Sequence, residues 1–234
     1  MSSRNTERIA ELRAELGQTL ELIPVDITLA DVPFHLHTVK NLDDLLDALL
    51  EKGEDHPEVQ DERIPYWAEL WPSSIALSEY ILQDPEIGPD SYALELGCGI
   101  GLCGVAAGKR GAKVIQTDYL PDALKMAEFI WRLNVEAAPD LRILDWRNPD
   151  PALAADVLIA SDVAYEERAF EPLLGAFDKL LKPGGKILLS EPSRKIAENW
   201  PEEFPKRGFT VKRTIKPVRY QGLDYRVQIF ELTR

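Results

Sequence analysis

Two cysteines, three histidines and no apolar run long enough to cross a bilayer set the first limits on this chain of 234 residues. Cys98 and Cys103 sit close together in one glycine-rich stretch, so a disulfide framework is excluded and a zinc site lacks ligands. His35 and His37 fall on one side of a predicted strand, but no third ligand accompanies them, and no metal is expected. Basic charge is also scarce. With 27 Lys and Arg against 40 Asp and Glu, the net charge of −13 argues against nucleic-acid binding, which needs clustered cations to displace counterions. An acidic surface serves solubility, or a basic protein partner. The N-terminal stretch, with Arg4, Glu7, Arg8, Glu11, Arg13 and Glu15, lacks the apolar centre of a signal peptide, so a cytoplasmic location without membrane association is expected. Repeats, low-complexity tracts and a P-loop are absent as well.

What is present centres on Ala93-Leu94-Glu95-Leu96-Gly97-Cys98-Gly99-Ile100-Gly101-Leu102, a short apolar strand running into a glycine-rich turn and a small-residue helix. Glycines permit a tight turn and close approach of a ligand. The helix start offers free N–H groups and the positive end of its dipole. The stretch therefore reads as the cradle of a nucleotide-type cofactor.

Ahead of it, residues 1–62 form an extension. A charged amphipathic helix is predicted over 6–17, a hairpin over 19–38 turning near Asp31, a helix over 41–50 with Asn41 as N-cap, and an acidic loop over 51–62. Then comes Pro65-Tyr66-Trp67-Ala68-Glu69-Leu70-Trp71-Pro72-Ser73-Ser74, leading into a helix over 75–82 that Ser73 and Ser74 are placed to cap. Trp67 and Trp71 are accounted for equally as core plugs or as cover for a ligand.

From residue 88 on, strands alternate with helices. Strands are predicted over 93–96, 113–117, 141–144, 157–160, 186–190, 209–215 and 225–232, with helices over 103–110, 121–133 and 170–181 and a further helix running to 203. This is the pattern of an α/β fold, a doubly wound, mostly parallel seven-stranded sheet with helices on both faces. Ligands bind such sheets outside the carboxyl ends of the strands. There the sequence places Glu95, then Asp118 roughly twenty residues further on, then Asp145-Trp146, then Ser161-Asp162-Val163-Ala164-Tyr165. Any one of these carboxylates is as well explained as a helix N-cap; four successive strand ends of this polarity are not.

The glycine spacing is Gly-x-Gly-x-Gly, not the Gly-x-Gly-x-x-Gly of dinucleotide sites, and Glu95 lies two residues before the first glycine. An acid there suits a cationic ligand better than a pyrophosphate. Glu95 to Gly101, Asp118, Asp145-Trp146 and Asp162 to Tyr165 together resemble the motifs of the class I, seven-β-strand, S-adenosyl-L-methionine-dependent methyltransferases, and Trp71-Pro72-Ser73-Ser74 with Asp162-x-x-Tyr165 is similar to their protein-lysine branch. The resemblance covers residues 66–191, within a methyltransferase domain over 63–234. Glu191-Pro192-Ser193-Arg194 departs from the Asp-Pro-Gly expected there.

By this resemblance, Gly97, Gly99, Gly101 and the intervening Cys98 pack on the methionine and ribose of the cofactor, with Trp71 closing its amino-acid end. Glu95 holds its α-amino group, and Asp118 its ribose hydroxyls, with Tyr119 beside the adenine. Asp145 bonds the adenine amino group, Trp146 covers the ring, and Ser161 lies under the sulfonium. Asp162 and Tyr165 are the expected catalytic pair, positioning a lysine amine of a protein substrate for methylation. Open beside this reading are a small-molecule N-methyltransferase, a non-catalytic cofactor- or partner-binding module and, more remotely, an NAD-dependent oxidoreductase.

Overall fold

A computed structural model describes residues 3–234. Helix α1 (Ser3–Leu16) precedes a hairpin of β1 (Leu22–Leu29) and β2 (Val32–Val39), turned by Ala30 and Asp31, both left-handed at φ 45° and 65°. Two consecutive residues of positive φ match the twist of paired strands. Helix α2 (Leu42–Leu50) starts, as expected, at Asn41, whose side chain accepts from Asp43 N–H, and a short α3 (Pro57–Gln60) interrupts the acidic loop.

Helix α4 (Pro72–Gln83) begins earlier than the sequence suggests. Trp71 is its N-cap residue, and Ser73 and Ser74 lie inside the first turn, where Ser74 Oγ donates back to Trp71 O at 2.7 Å. Pro72 is the cause: its fixed φ suits the first helical position, where no N–H is needed. The chain continues through β3 (Tyr92–Leu96), α5 (Leu102–Lys109), β4 (Lys113–Asp118), α6 (Pro121–Asn134), β5 (Asp140–Ile143), β6 (Ala155–Ser161), α7 (Glu167–Leu180) and β7 (Leu181–Glu191). The helix expected to reach residue 203 is instead two single 3-10 turns and a four-residue α8 (Glu203–Lys206). Pro201 and Pro205 break it, removing N–H donors and clashing with preceding carbonyls. Strands β8 (Thr210–Tyr220) and β9 (Leu223–Thr233) close the chain.

The sheet runs β5-β4-β3-β6-β7-β9-β8, parallel except for β9, which is antiparallel to both neighbours. From β3 the chain moves outward to β4 and β5, then returns to β6 on the other side. The carboxyl ends of β3 and β6 therefore flank the point where the winding reverses, which is where such sheets open a crevice.

Alternate strand residues feed two cores. Ala93, Val114, Ile159 and Leu188 face α4, α5 and α6; Leu94, Ile115, Leu158 and Leu189 face α7 and the 200–204 segment. The N-terminal extension belongs to the first core. Leu12, Leu16, Phe34 and Leu36 share it with Leu77, Ile81 and Phe129. Polar contacts fix the docking: Arg8 Nε and Nη2 donate to the two Glu128 oxygens at 3.1 and 3.0 Å, and Asn134 exchanges two hydrogen bonds with the His35 backbone. Phe34 is 0% exposed. Phe34→Ala is expected to cost ~3–5 kcal/mol, since it leaves a cavity as well as losing burial. Urea unfolding followed by near-UV and far-UV circular dichroism is expected to give one coincident transition at lower urea. Two separate transitions would show that the hairpin and the sheet do not share a cooperative core.

Candidate active site

The glycine turn is held from below by a buried polar knot. Glu95, 2% exposed, ends its side chain beneath the start of α5, where its Oε2 accepts from Gly104 N–H at 3.0 Å and from Gln116 Nε2 at 2.7 Å. Gln116 Nε2 also donates to Gly101 O at 2.9 Å. A Cβ on Gly104 would sit 2.4 Å from that Glu95 oxygen, so glycine is required where helix meets strand. Burial pushes the Glu95 carboxyl up to about 8 despite the two donors. Without a cation nearby, this acid is largely protonated at neutral pH.

Above the knot a cleft of about 720 Å³, part of it open to solvent, runs between the ends of β3 and β6. Trp71, Glu95, Gly97, Cys98, Gly99, Asp118, Tyr119, Trp146, Ser161, Asp162 and Tyr165 all line it. Gly97 and Gly99 are left-handed at φ 65° and 53°, and a Cβ on Gly99 would lie 3.4 Å from the Trp67 backbone. Asp118, 6% exposed, accepts from Gly99 N–H at 3.1 Å and Leu120 N–H at 3.0 Å; burial still raises its carboxyl to about 6. Each oxygen retains a lone pair for a further donor. Burial, then the Asp118 charge, pushes the Tyr119 hydroxyl up to about 12. The Cys98 thiol, buried beside the same acids, is raised well above its ordinary range and is no nucleophile.

Two of the residues singled out in the sequence lie outside this cleft. Gly101, left-handed at φ 83°, caps α5 and points inward, where a Cβ would meet Gln116 Nε2 at 2.6 Å. Asp145 lines a neighbouring hollow, where its oxygens accept from Arg147 Nε at 2.9 and 2.8 Å. Burial pulls the Asp145 carboxyl upward, but the Arg147 bonds outweigh it and leave it below its ordinary value. Arg147 in turn grips Asp61 at 2.6 and 3.2 Å, and Arg168 bonds Asp61 O at 3.2 Å and Glu62 at 2.9 Å. Residues 61–64 thus form a strap over this end, with Arg63 5.5 Å over the Tyr119 ring and Ile64 on the cleft wall. The sequence carried one signal for Gln116, a lone amide in an apolar strand, and none for the strap.

The rest of the cleft wall is aromatic and acidic, and Tyr165 borders the Asp145 hollow as well. Tyr66 meets Tyr165 edge-on at 5.2 Å and Trp71 at 5.9 Å, and Trp71 Nε1 donates to Tyr66 O at 2.8 Å. Trp67, Glu69 and Ser74 complete this wall. Burial alone raises the Glu69 carboxyl. Ser161 Oγ accepts from Ser190 Oγ at 3.1 Å. Asp162, 8% exposed and left-handed at φ 60°, donates its N–H to Ser190 O at 3.0 Å. One of its carboxylate oxygens is paired with Arg194, and the other, Oδ2, is buried without a partner.

This donor and acceptor set fits a cationic ligand bearing an amino group, a diol and a flat ring. Glu95 supplies a buried acid awaiting positive charge, Asp118 two acceptors, and Tyr119 and Trp146 flat faces. No group of three or more His, Cys, Asp and Glu converges among the described residues. His35 pairs with Asp26 at 2.8 Å, and His37 packs on Phe129 with ring centres 4.9 Å apart.

A family model described as lysine methyltransferase matches residues 58–204. The chain is 30% identical over 147 residues to an electron transfer flavoprotein β-subunit lysine methyltransferase of Danio rerio, covering 62% of this chain and 57% of that one. It is 31% identical over 115 residues to a histone-arginine methyltransferase of Xenopus laevis, covering 47% and 49%. The chain thus spans about half the length of these curated relatives. A Synechocystis magnesium protoporphyrin IX methyltransferase, crystallised with bound SAM, superposes with a TM-score of 0.55 at 14% identity over 83% of this chain and 92% of that one, which shows a common fold.

The raised Glu95 carboxyl has a measurable consequence. Its pKa lies above the ordinary 4.5, so the folded state holds its proton longer than the unfolded state. That stabilisation is complete below about 4.5 and disappears as pH rises through about 8. Glu95→Gln keeps the amide donor set but has no proton to lose. Urea midpoints at pH 5.5 and 8.5 are expected to fall less for Glu95→Gln than for the parent; equal falls would rule out a buried, titrating Glu95.

Proposed function

The chain belongs to the lysine methyltransferase family, and from that premise we propose that it transfers the methyl group of S-adenosyl-L-methionine to lysine side chains of a protein substrate. The observation that carries this reading is the single cleft in which the Glu95 knot, the Gly97–Gly99 turn and Asp118 meet Asp162 and Tyr165 across the β3–β6 gap. Family membership and the cationic fit of the Glu95 end support the cofactor. Neither the small-molecule nor the non-catalytic alternative has comparable support. Residues 63–234 are taken as the catalytic unit, braced by the extension. Two free, buried cysteines agree with a reducing, cytoplasmic setting, and no helix among the described residues is long and apolar enough to cross a membrane.

When bound, S-adenosyl-L-methionine supplies an electrophilic methyl carbon, whose bonding pair stays on sulfur as the amine lone pair forms the new bond. The chain's own task is to deliver a neutral amine along that line. A lysine side chain ionises near ~10.4 in water and arrives as ammonium. The wall of Tyr66, Tyr165 and Trp71 strips water from it and so favours release of a proton to solvent. Asp162 Oδ2, buried and unpartnered, accepts an amine N–H and turns the lone pair toward the cleft. Burial drives the Tyr165 hydroxyl well above its ordinary value, so it remains a neutral phenol that orients the nitrogen without taking its proton.

The test uses purified protein, tritiated S-adenosyl-L-methionine and a lysate of its own organism, with labelled products identified by mass spectrometry. Methyl-lysine in protein is expected; label confined to small molecules would overturn the proposal. Asp162→Asn and Tyr165→Phe are each expected to lower turnover ~100-fold, the scale of losing one oriented polar group, with S-adenosyl-L-homocysteine binding unchanged. Full turnover in both variants would remove them from the mechanism.

A further inference from the structure

The loop after β7 aims one arginine at the acceptor end of the cleft. Glu191, 3% exposed, accepts from Ser193 N–H at 2.6 Å and from Arg194 N–H at 2.8 Å. Ser193 is left-handed at φ 68°; its Oγ donates to Arg226 O at 3.2 Å and accepts from Gln228 Nε2 at 3.0 Å, both on β9. Glu191 and β9 therefore anchor the loop, and the Arg194 guanidinium lands on Asp162 Oδ1. Arg194 does not itself line the cleft, whereas Asp162 does.

This pairing divides the carboxylate. Guanidinium groups bind a carboxylate best through two parallel N–H bonds to both oxygens. With Oδ1 engaged, Asp162 offers an incoming side chain only Oδ2, which suits one N–H of an amine. Charge acts in the same sense. A second cation near Arg194 is disfavoured, and a lysine escapes that repulsion by losing its proton, which its reaction requires. An arginine side chain cannot, since it stays protonated throughout the working range.

We infer that Arg194 is a positioning residue that sets acceptor specificity: by holding one oxygen of Asp162, it admits a lysine amine and excludes the two-pronged grip of an arginine. This rests on the lysine-methylating function proposed above. Arg194→Ala, Arg194→Gln and Arg194→Lys are compared with the parent in the same lysate assay, with methyl-lysine and methyl-arginine quantified separately and S-adenosyl-L-homocysteine binding measured as the control for folding. For Arg194→Ala and Arg194→Gln, methyl-lysine is expected to fall ~10-fold and methyl-arginine to appear, with S-adenosyl-L-homocysteine affinity held. Arg194→Lys, which restores a point charge on the same oxygen, is expected to recover most of the lysine activity and to exclude arginine again. Parental methyl-lysine without methyl-arginine in the Ala and Gln variants overturns the inference and leaves the lysine function standing. A parent that methylates arginine, or no protein side chain, overturns both.

Discussion

The glycine half of the candidate active site hangs on one buried acid. Glu95 lies where β3 ends beneath the first turn of α5, and its oxygen ties that helix, through Gly104 N–H, to β4, through Gln116. Such a group is tolerated in a core only when hydrogen-bonded, and here both donors are backbone or amide, so the knot stays intact whether or not the acid is charged. The glycine turn is stretched over it. Gly101 O is held by the same Gln116 amide, and Cys98 N–H donates to Thr117 O at 2.9 Å, so the turn is anchored to β4 at both ends. The cleft floor is thus preorganised before any ligand arrives, and a cation that settles there meets an acid whose ionisation it promotes.

The two halves of the cleft are built by different means. On the β3–β4 side the chain bends at glycines, which take positive φ without penalty. On the β6–β7 side the bends fall on Asp162 and Ser193, where left-handed backbone costs about 1–3 kcal/mol each and persists only if its surroundings enforce it. The Asp162–Ser190 backbone bond and the Glu191 carboxylate supply that enforcement. Strained polar residues at a strand end give a functional side chain a direction that a relaxed loop would not hold. That is the structural distinction between the glycine half of the cleft and the Asp162 half.

How far the sequence carried this architecture depended on whether the signal was local. Apolar periods of two and of 3.6 located the strands and longer helices, and Asn41 and Asp31 marked a cap and a turn through their own side-chain chemistry. The strand-end carboxylates were visible because a parallel sheet sends its functional groups to one edge. Asp145 stands apart from the cleft because its partner is Arg147 two positions on, joined to Asp61 from the distant extension, and tertiary pairing of that kind leaves no periodic trace. Gly101 belonged to the glycine pattern by spacing, but Gln116, a side chain on another strand, fills the space it faces. Ser73 and Ser74 looked like caps until Pro72 took the first helical position.

The β3–β4 half contains what any ligand with an amino group, a diol and a flat ring requires. Under the proposed function, acceptor choice comes from groups that meet the incoming nitrogen, and the acidic side chains on the aromatic wall are Glu69 and Asp162, the latter with one buried oxygen that has no partner. What Asp162 can accept depends on the loop behind it. Without the Arg194 side chain both oxygens would be free, whereas in this chain one of them is engaged by an internal cation. Under the proposed function, the loop that carries Arg194 is thus the point where a shared cofactor fold acquires a particular acceptor chemistry.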